Sequence, residues 1–205
     1  IPRIAAPGLA GRPAAGSGAL LQALQVVVDS DDATFVFGVD ESYRLDFRPG
    51  PMAVLSAPTV FGALRGLESF AQLVERDVGS RSAALRAPAA PAVVADAPRF
   101  AYRGLMIDTA RHFYEPKFVE HIMEAMEASK LNVLHMHLTD DQSFPVVSER
   151  YPALAGKGSF GSPYTYNATV LTSLVAAARD RGIHIVPEFD MPAHTSAWGA
   201  GHPEI

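Results

Sequence analysis

Polar side chains follow three short apolar segments in the second half of the sequence, each at the point where the segment ends. They are Asp108, Arg111 and His112 after the first, Asp140 and Asp141 after the second, and Glu188, Asp190 and His194 at the end of the third. Carboxylates and imidazoles serve general acid–base chemistry, and a guanidinium binds hydroxyls through several fixed donors. No glycine-rich phosphate loop accompanies them, so the pattern favours a sugar site or a metal site.

Two histidines offer a metal-binding alternative. His135 and His137 are two residues apart in NVLHMHL, so on a strand they point to the same face. Together with Asp140, Glu188 and His194 they could bind a divalent ion. A metal-dependent barrel hydrolase is therefore one hypothesis for the function.

The elements that must position these residues alternate between strand and helix. We predict strands over residues 103–108, 132–138 and 183–189, the first of them buried, and helices over 115–130 and 168–182. The apolar face of the first helix is predicted to comprise Phe118, Ile122, Ala125 and Met126. This order predicts parallel strands with right-handed crossovers, so the polar residues meet at the carboxyl edge of the sheet.

The first hundred residues follow different patterns. Residues 19–29 and 41–57 predict strands, and Tyr43, Leu45 and Phe47 alternate with polar residues as in a half-buried antiparallel pair. These strands, with the helix that follows them, predict a small α+β domain over residues 1–100.

The helix of that domain is predicted over residues 59–77, with Thr59 as its N-cap. Its predicted apolar face comprises Phe61, Leu64, Leu67 and Ala71. Residues 79–100 are rich in Pro, Ala and Ser, a composition that predicts a connector to the second half.

Composition limits the class of protein. Hydrophobic residues make up 48% of the 205 residues, which is enough for a packed core. The net charge of −5, with no run of Lys or Arg, gives no attraction to nucleic acid or to anionic membrane surfaces. The absence of cysteine excludes disulfides and thiol catalysis. Because the chain begins at Ile1 without a signal-type segment, we expect a processed or trimmed product.

Several motifs resemble one enzyme family. RGLMIDTARHF, LNVLHMHLTDDQSFP and IVPEFDMPAHTSAWG are similar to the first three β/α units of the glycoside hydrolase family 20 β-N-acetylhexosaminidases, and DESYRLDF and TVFGALRGLESFAQL to that family's N-terminal domain. Met136 and Phe61 stand where the family commonly has Trp. The resemblance implies an α/β fold: the N-terminal part of a (β/α)8 TIM barrel over residues 101–205, preceded by the small α+β domain.

The resemblance also implies an activity. Enzymes of this family remove terminal GlcNAc or GalNAc from glycoconjugates or chito-oligosaccharides by substrate-assisted retaining hydrolysis, an exception to the two-carboxylate scheme. The sugar's 2-acetamido oxygen attacks the anomeric carbon while a Glu of an Asp-Glu pair on the fourth barrel strand protonates the leaving oxygen. Asp40-Glu41, the single such dipeptide here, falls in the N-terminal domain and is expected to be structural. We therefore expect the general acid to come from a segment absent from this chain.

Individual roles follow from the same resemblance. Arg111 corresponds to the arginine that binds the sugar hydroxyls, although a salt bridge to Asp108 is an alternative. Asp140 corresponds to the carboxylate that orients His194, which in turn holds the catalytic Glu; a structural histidine is the alternative. Asp141 is expected either to take part in catalysis or to brace a loop. No cofactor and no metal are implied.

Other expectations concern the rest of the surface. Asn167 begins an N-glycosylation sequon and is equally a candidate helix N-cap. Trp198 could stack on a sugar or pack in the core. Expected partners are terminal N-acetylhexosamine glycans, the C-terminal remainder of the enzyme and a second copy, in a secreted, lysosomal or vacuolar, or else periplasmic, setting. A non-catalytic carbohydrate-binding or regulatory fragment is the rival hypothesis.

Overall fold

The chain forms two compact units, Ile1–Ala101 and Tyr102–Ile205. The computed structural model describes residues 3–4, 19–76, 84–88 and 92–204. Each unit has its own cluster of buried hydrophobic side chains. Within the described residues, no helix has the length and apolar character needed to cross a membrane.

In its described residues, the first unit is mainly β-sheet with one long helix. Its elements are β1 (Arg3–Ile4), β2 (Leu20–Leu21), β3 (Ala23–Val28), β4 (Tyr43–Phe47), β5 (Met52–Ala57), α1 (Val60–Leu73), β6 (Glu75–Arg76), β7 (Leu85–Arg86) and β8 (Ala92–Asp96). One sheet has the order β1-β8-β4-β5-β3 and a second has the order β2-β7-β6. In the larger sheet β3 pairs with β5 in parallel, and the other pairs are antiparallel.

The alternation predicted for β4 is confirmed. Tyr43, Leu45 and Phe47 are buried, Arg44 is exposed, and the strand pairs antiparallel with β5. The predicted connector is wrong for residues 85–86, which form β7 in the smaller sheet, and for residues 92–96, which form β8 and pair with β4. Its residues 79–83 and 89–91 lie outside the described part of the chain.

Helix α1 begins where the sequence predicts but buries a different face. Thr59 is the N-cap, and its side-chain oxygen accepts a hydrogen bond from the backbone N–H of Gly62 at 3.1 Å. The predicted apolar face is confirmed at Phe61, which is buried, and wrong at Leu67 and Ala71, which are exposed, whereas Arg65 is buried.

Gly62 explains which face of α1 is buried. A side chain at Gly62 would collide with the carbonyl oxygen of Ser42, so this face of the helix lies directly against the preceding segment. The Nε of Arg65 lies on the same face and donates to Glu41 at 2.7 Å, forming an ion pair that is buried on both sides. Glu41 of the Asp40-Glu41 dipeptide is therefore used in packing α1.

The second unit alternates strand and helix. Its elements are β9 (Gly104–Asp108), α2 (Pro116–Ala128), β10 (Val133–Thr139), α3 (Pro152–Gly158), α4 (Ala168–Asp180), β11 (His184–Phe189) and α5 (Ser196–Gly201). The strands form one parallel sheet in the order β11-β10-β9, as predicted. The short helices α3 and α5 were not predicted, and they pack against each other.

The core of this unit lies around the central strand. Leu134, Met136 and Leu138 of β10 are buried with Met123 and Met126 of α2. The predicted face of α2 is wrong at two positions, because Phe118 and Ala125 are exposed. The sequence pattern placed Phe118 in this core, but the flexible, unbranched side chains of Met123 and Met126 fill it instead.

Strand β9 is less buried than predicted. Leu105 and Met106 are 41% and 55% exposed, whereas Ile107 is buried. The strand lies at the edge of the sheet, with β10 on one side. Val186 and Phe189 of the opposite edge strand β11 are also exposed. Both edges of this sheet therefore present apolar side chains to solvent.

Candidate active site

Acidic residues lie at the carboxyl ends of all three parallel strands. Asp108 is the last residue of β9, Asp140 follows β10, and Glu188 lies in β11. In the strand register His137 of β10 is paired with Asp108 on one side and with Glu188 on the other. The parallel pairing thus brings these four side chains together at the carboxyl ends of the strands, as the sequence predicts.

Asp140 is the centre of the cluster. Its side chain has no solvent exposure, yet each carboxylate oxygen accepts two hydrogen bonds. Oδ1 accepts from the backbone N–H of Asp141 at 2.6 Å and lies 3.1 Å from Nδ1 of His194. Oδ2 lies 2.7 Å from Nη2 of Arg111 and 2.6 Å from Nε2 of His137. The buried charge is therefore fully paired.

The charge state of Asp140 follows from these partners. Burial alone would raise the pKa of its carboxyl group, because a charge is poorly solvated in the interior. The hydrogen bonds from Asp141, His137 and His194 and the charge of Arg111 outweigh burial and hold the pKa below its ordinary value. Asp140 is accordingly a carboxylate at neutral pH.

Arg111 joins two carboxylates. Its Nη1 donates to Asp108 at 2.6 Å, its Nη2 contacts Asp140, and its Nε donates to Gln142 at 3.0 Å. The salt bridge to Asp108 is thus present together with the contact to Asp140. The Arg111 side chain remains 41% exposed. It is fixed in orientation and still accessible from solvent.

His194 approaches Asp140 from the segment between β11 and α5. Its backbone is left-handed with φ of 58°, which costs about 1–3 kcal/mol at a non-glycine residue and so must be held by its surroundings. When Nδ1–H donates to Asp140, the neutral ring has its lone pair on Nε2. That nitrogen lies 3.9 Å from Asp190, on a side chain that is 45% exposed.

Asp141 ties two loops together. Its Oδ1 accepts hydrogen bonds from the backbone N–H of Ser196 at 2.9 Å and from the hydroxyl of the same residue at 2.7 Å. These contacts connect the loop after β10 to the start of α5, close to His194. The geometry matches the loop-bracing alternative for Asp141.

Glu188 lies between two histidines. One of its oxygens contacts Nε2 of His135, and the other lies 3.3 Å from Nδ1 of His137. Both histidines therefore face the same side of β10, as their spacing predicts. Burial raises and the two histidine contacts lower the pKa of Glu188, with a net shift below the ordinary value.

Two sets of side chains among the described residues have a spacing that suits a metal ion. They are His137, Glu188 and Asp190, and Asp140, Asp141 and His194. In the second set, Oδ2 of Asp140 already pairs with the guanidinium of Arg111, and Oδ1 of Asp141 with Ser196. A guanidinium in contact with the carboxylate repels a second cation, so these contacts disfavour a metal ion at this set.

Three further candidate residues, Asn167, Trp198 and His112, are not among the contacts of Asp140 described above. Asn167 is the N-cap of α4, with its side-chain oxygen accepting from the N–H of Val170 at 2.9 Å; glycosylation of this residue remains a prediction. The ring of Trp198 packs edge-on against Phe144 at 5.3 Å, as in a core contact. His112 is exposed.

Two contacts of the cluster were not predicted. Gln142 follows the acidic pair directly and orients Arg111, and His137 pairs with Asp140 across the end of β10. Their closeness to Asp140 in the sequence, within three residues, is the signal that could have predicted both contacts. Their direction depends on the turn that Asp140 forms with Ser143, and that turn has no clear signature in the sequence.

The comparison with known families covers both units. Residues 100–205 match the description "Glycosyl hydrolase family 20, catalytic domain", and residues 9–73 match "beta-acetyl hexosaminidase like". The beta-hexosaminidase subunit beta of Sus scrofa is 42% identical over 189 residues, covering 92% of this chain and 34% of the relative. Subunit A1 of Dictyostelium discoideum is 39% identical, covering 89% and 33%. The chain thus spans about a third of the length of these relatives.

Solved structures give the same result. The chitobiase of Flavobacterium johnsoniae superposes with a TM-score of 0.80 at 35% identity, over 89% of this chain and 26% of the other. The N-acetyl-beta-hexosaminidase of Streptomyces plicatus gives a TM-score of 0.74 at 30% identity, over 88% and 36%. The parallel unit is the beginning of a (β/α)8 barrel preceded by a small α+β domain, and the chain belongs to glycoside hydrolase family 20.

Proposed function

We propose that this chain is the N-terminal part of an exo-acting β-N-acetylhexosaminidase that removes terminal GlcNAc or GalNAc from glycoconjugates or chito-oligosaccharides. The similar proteins are named beta-hexosaminidases, and one Streptomyces plicatus structure is a complex with the product GlcNAc. Because the chain spans about a third of these relatives, the rest of the active site belongs to a segment outside these 205 residues. Residues 101–205 supply the first three β/α units, and residues 1–100 the small α+β domain.

The observation that carries the proposal is the hydrogen bond between His194 and buried Asp140. A general acid must be held in place and must keep its proton until the leaving oxygen takes it. Asp140 fixes the Nδ1–H tautomer of His194, so Nε2, which lies 3.9 Å from Asp190, is the nitrogen that can contact the carboxyl group of that acid. The acid itself is a Glu on the fourth barrel strand, supplied by the segment outside this chain.

Arg111 has donors left for the substrate. A guanidinium carries five N–H groups, and three of them point to Asp108, Asp140 and Gln142. One N–H on each Nη remains, on a side chain that solvent reaches. Donors held in one fixed plane suit the hydroxyls of a terminal sugar.

The setting of the protein is part of the same proposal. Its partners are terminal N-acetylhexosamine glycans, the C-terminal part of the enzyme and a second copy in a homodimer. A secreted, lysosomal or vacuolar location, or a periplasmic one, suits an enzyme that acts on such glycans.

Hydrolysis of an aryl N-acetyl-β-glucosaminide by the full-length protein tests the proposal. We expect turnover that EDTA does not reduce, and a loss of about 10- to 1,000-fold in kcat for Asp140→Asn. Asp46→Asn in β4 is the matched control and should retain wild-type activity. Sugar binding without turnover would instead support the carbohydrate-binding alternative. Loss of activity with EDTA, restored by a divalent ion, would support the metal-dependent one.

A further inference from the structure

Two glycines bring helices α3 and α5 into direct backbone contact. A Cβ at Gly158 of α3 would lie 2.5 Å from the carbonyl oxygen of Ala197, and a Cβ at Gly201 of α5 would lie 2.6 Å from that of Ala153. Both separations are too short for real atoms, so a side chain at either position forces the surrounding backbone to shift. The end of each helix meets the start of the other, and the pair is thus fixed at two points.

The other glycines of these helices show that close packing is the reason for glycine at the two contact points. Gly156 of α3 and Gly199 of α5 have nothing within 4 Å of an added Cβ. Neither Gly158 nor Gly201 has a positive φ, so no left-handed turn requires glycine there. What requires it is the approach of the backbone of the partner helix.

Helix α5 begins beside the segment that presents His194. Ser196 is the first residue of α5, and both its N–H and its hydroxyl donate to Asp141. The left-handed backbone of His194, two residues earlier, must be held by its surroundings. The position of α5 therefore bears directly on the position of His194.

Phe144 connects α3 and α5 to the loop that contains Asp140. Its N–H donates to the carbonyl of Gly158 at 2.8 Å, and its ring packs edge-on against Trp198 of α5. The two helices and this loop thus form one packed group, and a shift of α5 away from α3 is also a shift relative to Asp140.

We propose that Gly158 and Gly201 are positioning residues, which let α5 lie close enough to α3 to hold His194 against Asp140. The contact between Nδ1 of His194 and Asp140 is 3.1 Å long. Hydrogen bonds to nitrogen donors have lengths of about 2.7–3.2 Å, so a small shift of α5 breaks this one. The role of the glycines in catalysis rests on the proposed function, since they act through His194 on the general acid.

Amide hydrogen exchange of the full-length protein tests the packing without reference to activity. The N–H of Ser196 donates to Asp141, so it exchanges when the start of α5 opens. In Gly158→Ala this N–H should exchange about tenfold faster than in the wild type, because the added methyl group separates the helices. Gly156→Ala in the same helix is the matched control and should exchange at the wild-type rate. Equal exchange in Gly158→Ala and the wild type would overturn the proposal.

Hydrolysis of an aryl N-acetyl-β-glucosaminide tests the consequence for the reaction, at a temperature where each variant is folded. A misplacement of about 1 Å can cost about 100-fold in rate, so Gly158→Ala should lower kcat by about tenfold or more. KM should change less than about threefold, because Arg111, the proposed sugar-binding residue, lies in the loop after β9 and not on α5.

Further variants separate positioning from stability. Gly156→Ala and Gly199→Ala add the same methyl group to α3 and α5 where there is room, and should retain the wild-type kcat. Gly62→Ala forces α1 of the first unit against Ser42, so it should lower stability and leave kcat unchanged. A loss of kcat in Gly62→Ala as large as in Gly158→Ala would show that reduced stability is the cause, and would contradict the proposal.

Two more variants decide the question if Gly158→Ala does not fold. Gly201→Ala strains the other end of the same contact and should have the same effects. Ser196→Ala adds no atom and removes the hydroxyl that donates to Asp141, so it should lower kcat about threefold with KM unchanged. An unchanged kcat in Ser196→Ala would contradict the step from α5 to His194 on which the proposal depends.

The two proposals fail separately. A full-length wild-type protein with no turnover would contradict the proposed function, and the exchange of the Ser196 N–H would still decide whether the glycines hold α5 in place. An active enzyme whose kcat is unchanged in Gly158→Ala and Gly201→Ala would contradict the positioning role alone.

Discussion

Asp140 combines a structural and a chemical task in one side chain. Its buried carboxylate connects the loops after β9, β10 and β11 through Arg111, Asp141 and His194. A buried charge is tolerated when every lone pair has a donor, and it becomes costly when one partner is removed. The same contacts that hold the loops therefore set the direction of His194.

The low pKa of Asp140 gives a pH prediction for stability. Its folded pKa is below the unfolded value of about 3.9, so its contribution is present above that pH and is lost as the pH falls through the folded value. Wild-type protein should therefore lose stability more steeply below about pH 4 than Asp140→Asn does. Thermal melts of the full-length protein between pH 3 and 7 measure this, and parallel acid limbs in the two proteins would argue against it.

Arg111 gives a binding prediction. Hydrogen bonds from a charged donor are worth about 1.5–3 kcal/mol, so Arg111→Ala in the full-length protein should weaken terminal-sugar binding at least about tenfold. Arg111→Lys should recover only part of this, because an ammonium lacks the planar fork. Inhibition by GlcNAc measures the affinity. Arg44→Ala on the exposed surface of β4 is the control, and equal affinity in Arg111→Ala would place the residue outside the site.

For single residues, the sequence predicted which side chains belong to the site better than it predicted the contacts between them. Asp140, His194 and Arg111 stand out because they follow strand ends in recognisable motifs, and the structure brings the three together. The double contact of His137 was not predicted. It depends on the register that sets Glu188 beside β10 and on the turn at Asp140, and both are properties of the assembled sheet.

Among the elements, α1 shows how strongly glycine decides packing. A Cβ at Gly62 would lie inside contact distance of the backbone oxygen of Ser42, which cannot move aside easily. We expect Gly62→Ala to destabilise the first unit by about 1–3 kcal/mol. Gly156→Ala in α3 is the control, because nothing lies within 4 Å of its added Cβ, and it should be neutral or slightly stabilising. Denaturant melts compare the two, and equal stability would show that α1 is free to shift.

Elements with a regular pattern were predicted and irregular ones were not. The alternation of Tyr43, Leu45 and Phe47 marks β4 because period two is unambiguous over five residues. The faces of α1 and α2 were assigned from the helical spacing of apolar residues, which gives no weight to Gly62 and did not include Met123, although both are buried. Helix α3 is seven residues long and contains two glycines, which gives too weak a helical signal.

At the scale of the whole molecule, the open edges of the parallel sheet matter most. Leu105 and Met106 on one edge and Val186 and Phe189 on the other are exposed, and exposed apolar edge strands promote aggregation. The 205-residue chain expressed alone should therefore be insoluble or partly unfolded, and inactive on aryl N-acetyl-β-glucosaminides. A soluble product that melts cooperatively and hydrolyses the substrate would contradict this.

The account as a whole depends on Asp140 and His194 acting as one unit on a general acid from outside this chain. The most direct test is kcat/KM of the full-length protein for wild type, Asp140→Asn, His194→Ala and the double variant. Residues that act as one unit give non-additive losses, so the double variant should be little worse than the poorer single one. The alkaline limb of the pH–rate profile, where the acid deprotonates, should shift in all three. Losses that multiply fully, with an unmoved alkaline limb, would show that the two residues act independently.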